Sequence, residues 1–323
     1  MRNPRVRITT VPFQHVSLSQ LVSTFFAFLC VLCDLCGKRI LFWPYTRIPE
    51  SRYDVANVGE KNSMKVRTEE AAVALMRDHA AKSKIVPFAR DYGATDLAGA
   101  YAIQAAYVKR LEAVLGRRVG YKIGLTSKRM QEMCGVNHPN SGVIFEKRLH
   151  QSGVSLSLSR LGRLGIEFEC CARLGTSLAP RGKPYTLDEV ASAVDAVCPA
   201  FEVIDDRNSD YPLDLLSLVA DNSWNEGNVL GEFKNTWPNL GTATSVLECN
   251  GKVIDEGKGA DVLGHPFEPL RWLANNLNEL GQTLNKGAIV LTGSWVTTRF
   301  PKAGEHYKYT IEGVGSVEIS IAA

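Results

Sequence analysis

The run Gly165-Ile166-Glu167-Phe168-Glu169-Cys170-Cys171-Ala172-Arg173-Leu174 constrains this chain more than any other stretch. Ile166, Phe168, Cys170, Ala172 and Leu174 alternate with Glu167, Glu169, Cys171 and Arg173, the two-residue period of a strand with one apolar face. Side chains two strand residues apart lie roughly 7 Å from each other on one face, so Glu167 and Glu169 can reach a single cation. Taken alone, the pair reads more readily as the solvated side of an edge strand. The later run Pro199-Ala200-Phe201-Glu202-Val203-Ile204 argues for the cation, because Glu202 is flanked by apolar residues. A buried carboxylate is costly unless it is paired or metal-bound. Between the two strands, Thr186-Leu187-Asp188-Glu189 is a capping box, and Val190, Ala191, Val194 and Val197 follow at helical spacing. Glu167, Glu169 and Glu202 therefore belong to one α/β unit.

The 323 residues can bury a substantial core, and 45% hydrophobic with 22% charged residues describes a globular chain rather than a disordered one. A net charge of +3 without a basic stripe gives no footprint for nucleic acid. The eight cysteines are dispersed and make no disulfide scaffold, and Cys170, Cys171 and Cys198 sit among apolar neighbours as small hydrophobes, which points to a reducing, cytoplasmic setting. Cys30, Cys33 and Cys36 are spaced like metal ligands but lack a nearby fourth, so packing is the better reading.

Residues 1–63 differ from the remainder. Arg2, Arg5 and Arg7 precede an apolar run from Leu21 to Cys33 that is short of the ~20 residues needed to span a bilayer. We expect a dispensable leader here, with a membrane anchor as the minority alternative. A helical layer is expected over 64–118: one helix from Thr68 to Ala81, then one capped by Asp96, striped by Leu97, Tyr101, Val108, Leu111 and Leu115, and stopped at Gly116. Residues 119–323 are expected to form the α/β domain that carries the acids. There, Asn250-Gly251 marks a hairpin, a helix runs from about Pro266 to Leu280, Ile289–Leu291 is a buried strand, and two strands close the chain.

Lys122 is the odd residue of Gly120-Tyr121-Lys122-Ile123-Gly124. It either snorkels to the surface or points inward as an acid/base. His265, in Gly264-His265-Pro266, suits a structural cap as well as a functional role. The chain has no phosphate loop, zinc helix, nucleophile elbow or dinucleotide fingerprint. A site made of carboxylates favours Mg²⁺ or Mn²⁺.

Six motifs occur in order: Tyr121-Lys122-Ile123-Gly124-Leu125-Thr126-Ser127, Ile166-Glu167-Phe168-Glu169, Pro199-Ala200-Phe201-Glu202-Val203, Ala220-Asp221-Asn222, Leu263-Gly264-His265-Pro266 and Leu291-Thr292-Gly293. Through them, Met64–Ala323 resembles the 2-keto-4-pentenoate hydratase/4-oxalocrotonate decarboxylase family of the fumarylacetoacetase-like superfamily. The resemblance implies an α+β fold, a mixed β-sandwich or roll of the fumarylacetoacetase C-terminal-like type with surrounding helices and a small helical N-terminal layer. It implies a homo-oligomer, a divalent metal (Mg²⁺ or Mn²⁺) on Glu167, Glu169 and Glu202, Lys122 as acid/base, and Leu125, Thr292 and Gly293 at the substrate, with Thr292 and Gly293 on its carboxylate.

The activity it implies is addition of water to a 2-hydroxy-2,4-dienoate, giving a 4-hydroxy-2-oxo acid in the catabolism of aromatic-derived compounds. The alternatives are decarboxylation of a vinylogous oxo-diacid on the same metal site and, in a different class, a non-catalytic subunit supporting a partner enzyme. The intact Glu167, Glu169, Glu202 and Lys122 argue against the last. Many hydratases of the family carry an acid where this chain has Asn140. An amide orients a water but does not take its proton, so Asn140 is the catalytic position where this chain departs from the pattern, with Glu146 and His138 as nearby substitutes.

Overall fold

Strands β5 (Leu164–Leu174) and β6 (Val194–Asp205) run antiparallel in register, with Phe168 opposite Phe201 and Glu167 opposite Glu202. The two-residue alternation thus sends a pair of rings to one side of the sheet and a pair of acids to the other. The computed structural model describes residues 65–210 and 213–323; the expected leader lies outside them. From Asn62 onward the chain clusters as one compact unit.

Around that pair lie β1 (Arg118–Gly124), β2 (Asn140–Phe145), β3 (Leu149–Gln151), β7 (Asn225–Leu230) and β10 (Ile289–Ser294), giving a seven-stranded sheet ordered β2-β1-β10-β5-β6-β7-β3. The sheet is mixed: β1 pairs in parallel with β10, and β10 antiparallel with β5. A second sheet of five strands, ordered β4-β12-β11-β8-β9, comprises β4 (Val154–Ser157), β8 (Thr244–Cys249), β9 (Lys252–Lys258), β11 (His306–Ile311) and β12 (Gly315–Ala322). The ring side of β5 and β6 faces this sheet. Phe168 packs 5.6 Å from Phe201 and 5.8 Å from Tyr309, ring centre to ring centre, in a core shared with Val317 and Ile319. Truncating such a ring to alanine costs about 3–5 kcal/mol.

Asn250 and Gly251 join β8 to β9, both with positive φ (49° and 74°), as a two-residue hairpin of this twist requires. Helix α1 (Thr68–Ala80) packs on α2 (Leu97–Leu115), which is capped by Asp96 through the Gly99 N–H and ends at Gly116. The buried face of α2 is Ala100, Ile103, Tyr107 and Val108; of the expected stripe Val108 is buried, while Leu97, Tyr101, Leu111 and Leu115 are partly covered. Small residues at the contact, Ala71 and Ala72 on α1 and Ala100 on α2, let the helices approach and leave the bulkier leucines at the margin.

Short helix α3 (Lys128–Met133) follows β1, capped by Ser127. The capping box at Thr186 is formed, but its helix α4 (Leu187–Ala193) is shorter than expected. Val194 and Val197 belong to β6 instead, because β5 offers them a full ladder of partners. Helix α5 (Leu215–Ala220) precedes β7, and α6 (Phe267–Glu279) lays Leu270, Leu273 and Leu277 on the core. The result is an α+β fold with a sheet-rich core flanked by helices.

Candidate metal centre

On the acid side of the large sheet, single ligand atoms of Glu167, Glu169 and Glu202 all lie within 4.8 Å of one another. The register places them: Glu202 lies directly across from Glu167, and Glu169 is two residues along β5. Glu169 and Glu202 are fully buried, while Glu167 is partly open and lines a cavity of about 510 Å³. Each acid accepts a hydrogen bond from a neutral donor. The Gly293 N–H donates to Glu169 Oε2 (2.7 Å), the Asn225 amide to Glu202 Oε1 (2.9 Å), and the Thr298 hydroxyl to Glu167 Oε1 (3.0 Å). That leaves Glu169 Oε1 and Glu202 Oε2 buried without a protein partner. Three convergent carboxylates with orphaned oxygens are a hard-cation donor set and fit a divalent ion.

Lys122 points inward rather than snorkelling. Its Nζ lies 3.2 Å from Glu202 Oε1 and donates to the Ser223 carbonyl at 3.2 Å. Burial by itself would lower its pKa, but Glu202, Glu167 and Glu169 together hold it above its ordinary value. Burial pushes Glu169 well above the usual carboxylate range, helped by repulsion from Glu202 and Glu167 and opposed by Lys122. Burial likewise raises Glu202, to about 7, against the pull of Lys122. A divalent ion on three carboxylates leaves one negative charge, which Lys122 offsets, so an anionic substrate meets no net repulsion at this centre.

Asn140 begins β2 beside this lysine. A Cβ on Gly124 would fall 2.5 Å from Asn140 Oδ1 and 3.5 Å from Lys122 Nζ, so glycine is what lets the two side chains share the space. Asn140 lines the cavity, and both its amide atoms are buried without a protein partner. Glu146 and His138 do not line it. Glu146 pairs with Arg117 beyond the far end of β2, and His138 contacts the Pro139 carbonyl through Nδ1. His265 is a cap, its Nδ1 accepting from the Phe267 N–H.

Leu125 lines the cavity at φ 57°. Thr292 and Gly293 stand differently from the expectation. The Thr292 hydroxyl donates to the Cys170 carbonyl at 2.9 Å and the Gly293 N–H to Glu169, so both donors face protein, and neither residue lines the cavity. At φ 110°, with a Cβ position only 2.0 Å from Thr126 Oγ1, residue 293 accommodates only glycine, which lets the strand close on Glu169.

Several cavity groups escaped the sequence reading. Asn225 and Thr298 hold acids from loops and strands distant in sequence, and Ser223 and Trp224 line the cavity through left-handed backbone that non-glycine residues rarely adopt.

Residues 101–322 match the family model described as fumarylacetoacetate (FAA) hydrolase C-terminal. The chain is 34% identical to 2-keto-4-pentenoate hydratase of Paraburkholderia xenovorans over 252 residues, covering 77% of this chain and 93% of that one. It is 33% identical to 4-oxalocrotonate decarboxylase of Pseudomonas putida over 229 residues, covering 70% and 86%. Among solved structures, 4-oxalocrotonate decarboxylase of Pseudomonas putida G7, complexed with magnesium and adipate, superposes with a TM-score of 0.72 at 29% identity, over 79% of this chain and 97% of that one. The match across most of the length of these relatives, in sequence and in fold, shows that the chain belongs to the 2-keto-4-pentenoate hydratase/4-oxalocrotonate decarboxylase family of the fumarylacetoacetate hydrolase-like superfamily.

Proposed function

We propose that this protein is a divalent-metal-dependent hydratase that adds water to a 2-hydroxy-2,4-dienoate and releases a 4-hydroxy-2-oxo acid. Asn140 is the observation that carries this reading: a buried amide facing the cavity beside Lys122, with neither end bonded to protein. Such an amide calls for a water or hydroxyl. Hydration uses an oriented water; decarboxylation needs none.

Glu167, Glu169 and Glu202 would hold Mg²⁺ or Mn²⁺, which when bound supplies Lewis-acid stabilisation of the charge that develops on the substrate's 2-oxygen. Lys122, an ammonium at neutral pH, delivers a proton to the terminal diene carbon and is recharged from the 2-hydroxyl group. The product of that step is the conjugated enone. Asn140 then orients water towards C4: the water oxygen bonds C4 as the C3–C4 double bond opens, and the proton that the water gives up ends on C3, so the 4-hydroxy-2-oxo acid forms with no net gain or loss of protons. Leu125 and Trp224 wall the cavity around the substrate.

The decarboxylase branch has its own supporting observation. Arg129 lines the same cavity and gives a second substrate carboxylate a cation to meet. We further propose a cytoplasmic homo-oligomer. The free, buried thiols of Cys170, Cys171 and Cys198 support a reducing compartment. Among the described residues no helix is long and apolar enough to cross a membrane.

A panel of 2-hydroxydienoates with and without a second carboxylate, incubated with Mg²⁺ or Mn²⁺ and followed by ultraviolet loss and product mass, tests the reading. Gain of one water is expected. Loss of carbon dioxide from the diacids would replace hydratase by decarboxylase, and no turnover of any compound would favour a non-catalytic subunit. Glu169→Gln, which keeps an oxygen for the Gly293 N–H, is expected to abolish the metal-dependent activity; full activity in that variant would remove Glu169 from the metal centre.

A further inference from the structure

Directly behind the Lys122 ammonium, three consecutive non-glycine residues, Asn222, Ser223 and Trp224, have positive φ (50°, 51° and 62°). Each such residue is disfavoured for L side chains, and three in a row persist only where the surroundings fix them. Two sets of contacts do so. On one side, the Asn222 side chain clamps β2: Oδ1 accepts from the Val143 N–H at 2.7 Å and Nδ2 donates to the Val143 carbonyl at 3.0 Å. Its backbone carbonyl lies 2.4 Å from where a Cβ on Gly142 would be, so the approach is tight.

On the other side is Asp221, whose backbone carbonyl accepts from the Trp224 N–H at 2.9 Å and closes the turn. Its carboxylate is wholly buried between His79 Nε2 on Oδ1 and Arg207 Nη2 on Oδ2, both at 2.6 Å. His79 comes from α1, stacks on Tyr107 of α2 and places its other nitrogen 3.1 Å from Glu226, which in turn pairs with Arg148. Arg207 comes from the segment just after β6. His79, Arg207 and Asp221 do not line the cavity.

What the turn presents to Lys122 is the Ser223 carbonyl. An ammonium has three N–H donors, and for Lys122 the protein contacts are Glu202 and this carbonyl. Without the carbonyl, Lys122 would be drawn wholly onto the carboxylates, away from the space beside Asn140. We propose that His79 and Arg207 are positioning residues for Lys122: their joint hold on Asp221 keeps the left-handed Asn222–Trp224 turn in place, so that the Ser223 carbonyl aims the ammonium into the cavity. The helical N-terminal layer thereby contributes to the site through His79. The kinetic arm of this inference rests on the hydratase reading; its chemical arm does not.

The test compares His79→Gln, Arg207→Met and Arg207→Lys with wild type and with Ile319→Val, a variant in the core between the two sheets rather than in the cluster that flanks the turn. In full-length protein, acetylation of Lys122 by acetic anhydride is followed by peptide mass spectrometry, without substrate or metal. On a dienoate that wild type turns over, kcat and KM are then measured. In His79→Gln and Arg207→Met, kcat is expected to fall by about tenfold to a hundredfold with KM little changed, as for a displaced catalytic group. The acetylation rate of Lys122 is expected to change alongside, Arg207→Lys to recover much of both, and Ile319→Val to lower only the melting temperature. Variants that lose melting temperature but keep wild-type kcat and Lys122 reactivity would overturn the proposal. If Arg207→Met does not fold, Asp221→Asn, which keeps the shape and removes the charge, decides in the same way. Should wild type turn over no dienoate, the hydratase reading fails while Lys122 acetylation still judges the positioning role.

Discussion

Lys122 Nζ and Glu202 Oε1 stand 3.2 Å apart with both side chains withdrawn from solvent, so the candidate acid/base and a candidate metal ligand form one buried ion pair. Each holds the other's charge in a place where neither would keep it alone. Occupancy of the metal centre and the charge on the lysine are therefore linked.

Lys122→Met tests that linkage. Turnover is expected to fall by about 10²–10⁴-fold, the range of a lost general acid/base. Divalent-cation binding, measured by calorimetry, should persist and tighten, because the centre loses a positive neighbour. Metal-free Glu202 would be left as an unpaired buried acid, a loss of about 3–5 kcal/mol in stability that added cation should restore. Unchanged turnover would refute the role given to Lys122.

The raised carboxylates make cation uptake depend on pH. Glu202 is pushed by burial from 4.5 to about 7, and Glu169 well above the usual carboxylate range. The metal-free folded state thus holds protons that a cation must displace. Affinity should weaken as pH falls through 7, with protons released on binding, which calorimetry in buffers of different ionisation heat reads directly. For the metal-free protein, the folded state binds more protons than the unfolded state between 4.5 and about 7. Its stability is therefore expected to decline as pH rises through that window.

Asn140→Ala should separate the two halves of the reaction. With its amide gone, water addition is expected to slow by about 10²-fold, the lower end of what a positioned group contributes. Lys122-dependent exchange of deuterium into the terminal carbon of the substrate should survive, and proton NMR in D₂O follows both. Loss of exchange together with hydration would show that Asn140 serves the protonation step instead.

His79 gives a stability signature of its own. Burial alone would lower its pKa, but Asp221 and Glu226 override that and raise it from 6.5 to about 10. A group raised in this way contributes its full stabilisation below 6.5 and loses it progressively as pH rises to about 10. Urea midpoints measured across that range should fall more steeply for wild type than for His79→Gln. Parallel curves would mean that the imidazole is not charged in the folded protein.

The strands and caps were legible because they rest on local physics. Alternation at Ile166–Leu174 defined β5, and Asp96, Thr186 and Asn250-Gly251 each capped or turned the chain where the bonding of their own side chains or their backbone dihedrals require. The acids Glu167 and Glu169 were visible as a pair for the same reason. Competition between neighbours was not legible: Val194 and Val197 fit a helix by spacing, yet the β5 ladder claims them.

By itself the sequence determined which residues have the chemistry for a candidate site: three acids, a lysine between glycines whose direction it left open, and an amide at 140. Tertiary structure alone decided that Glu202 faces Glu167 across a strand pair, that Thr292 and Gly293 direct their donors at protein, and that Asp221, held by His79 and Arg207, sets the turn behind Lys122. These relations join residues far apart in the chain. Each offsets the cost of desolvating a polar or charged group by pairing it with a specific partner, and no periodicity in one segment records which partner another segment will bring.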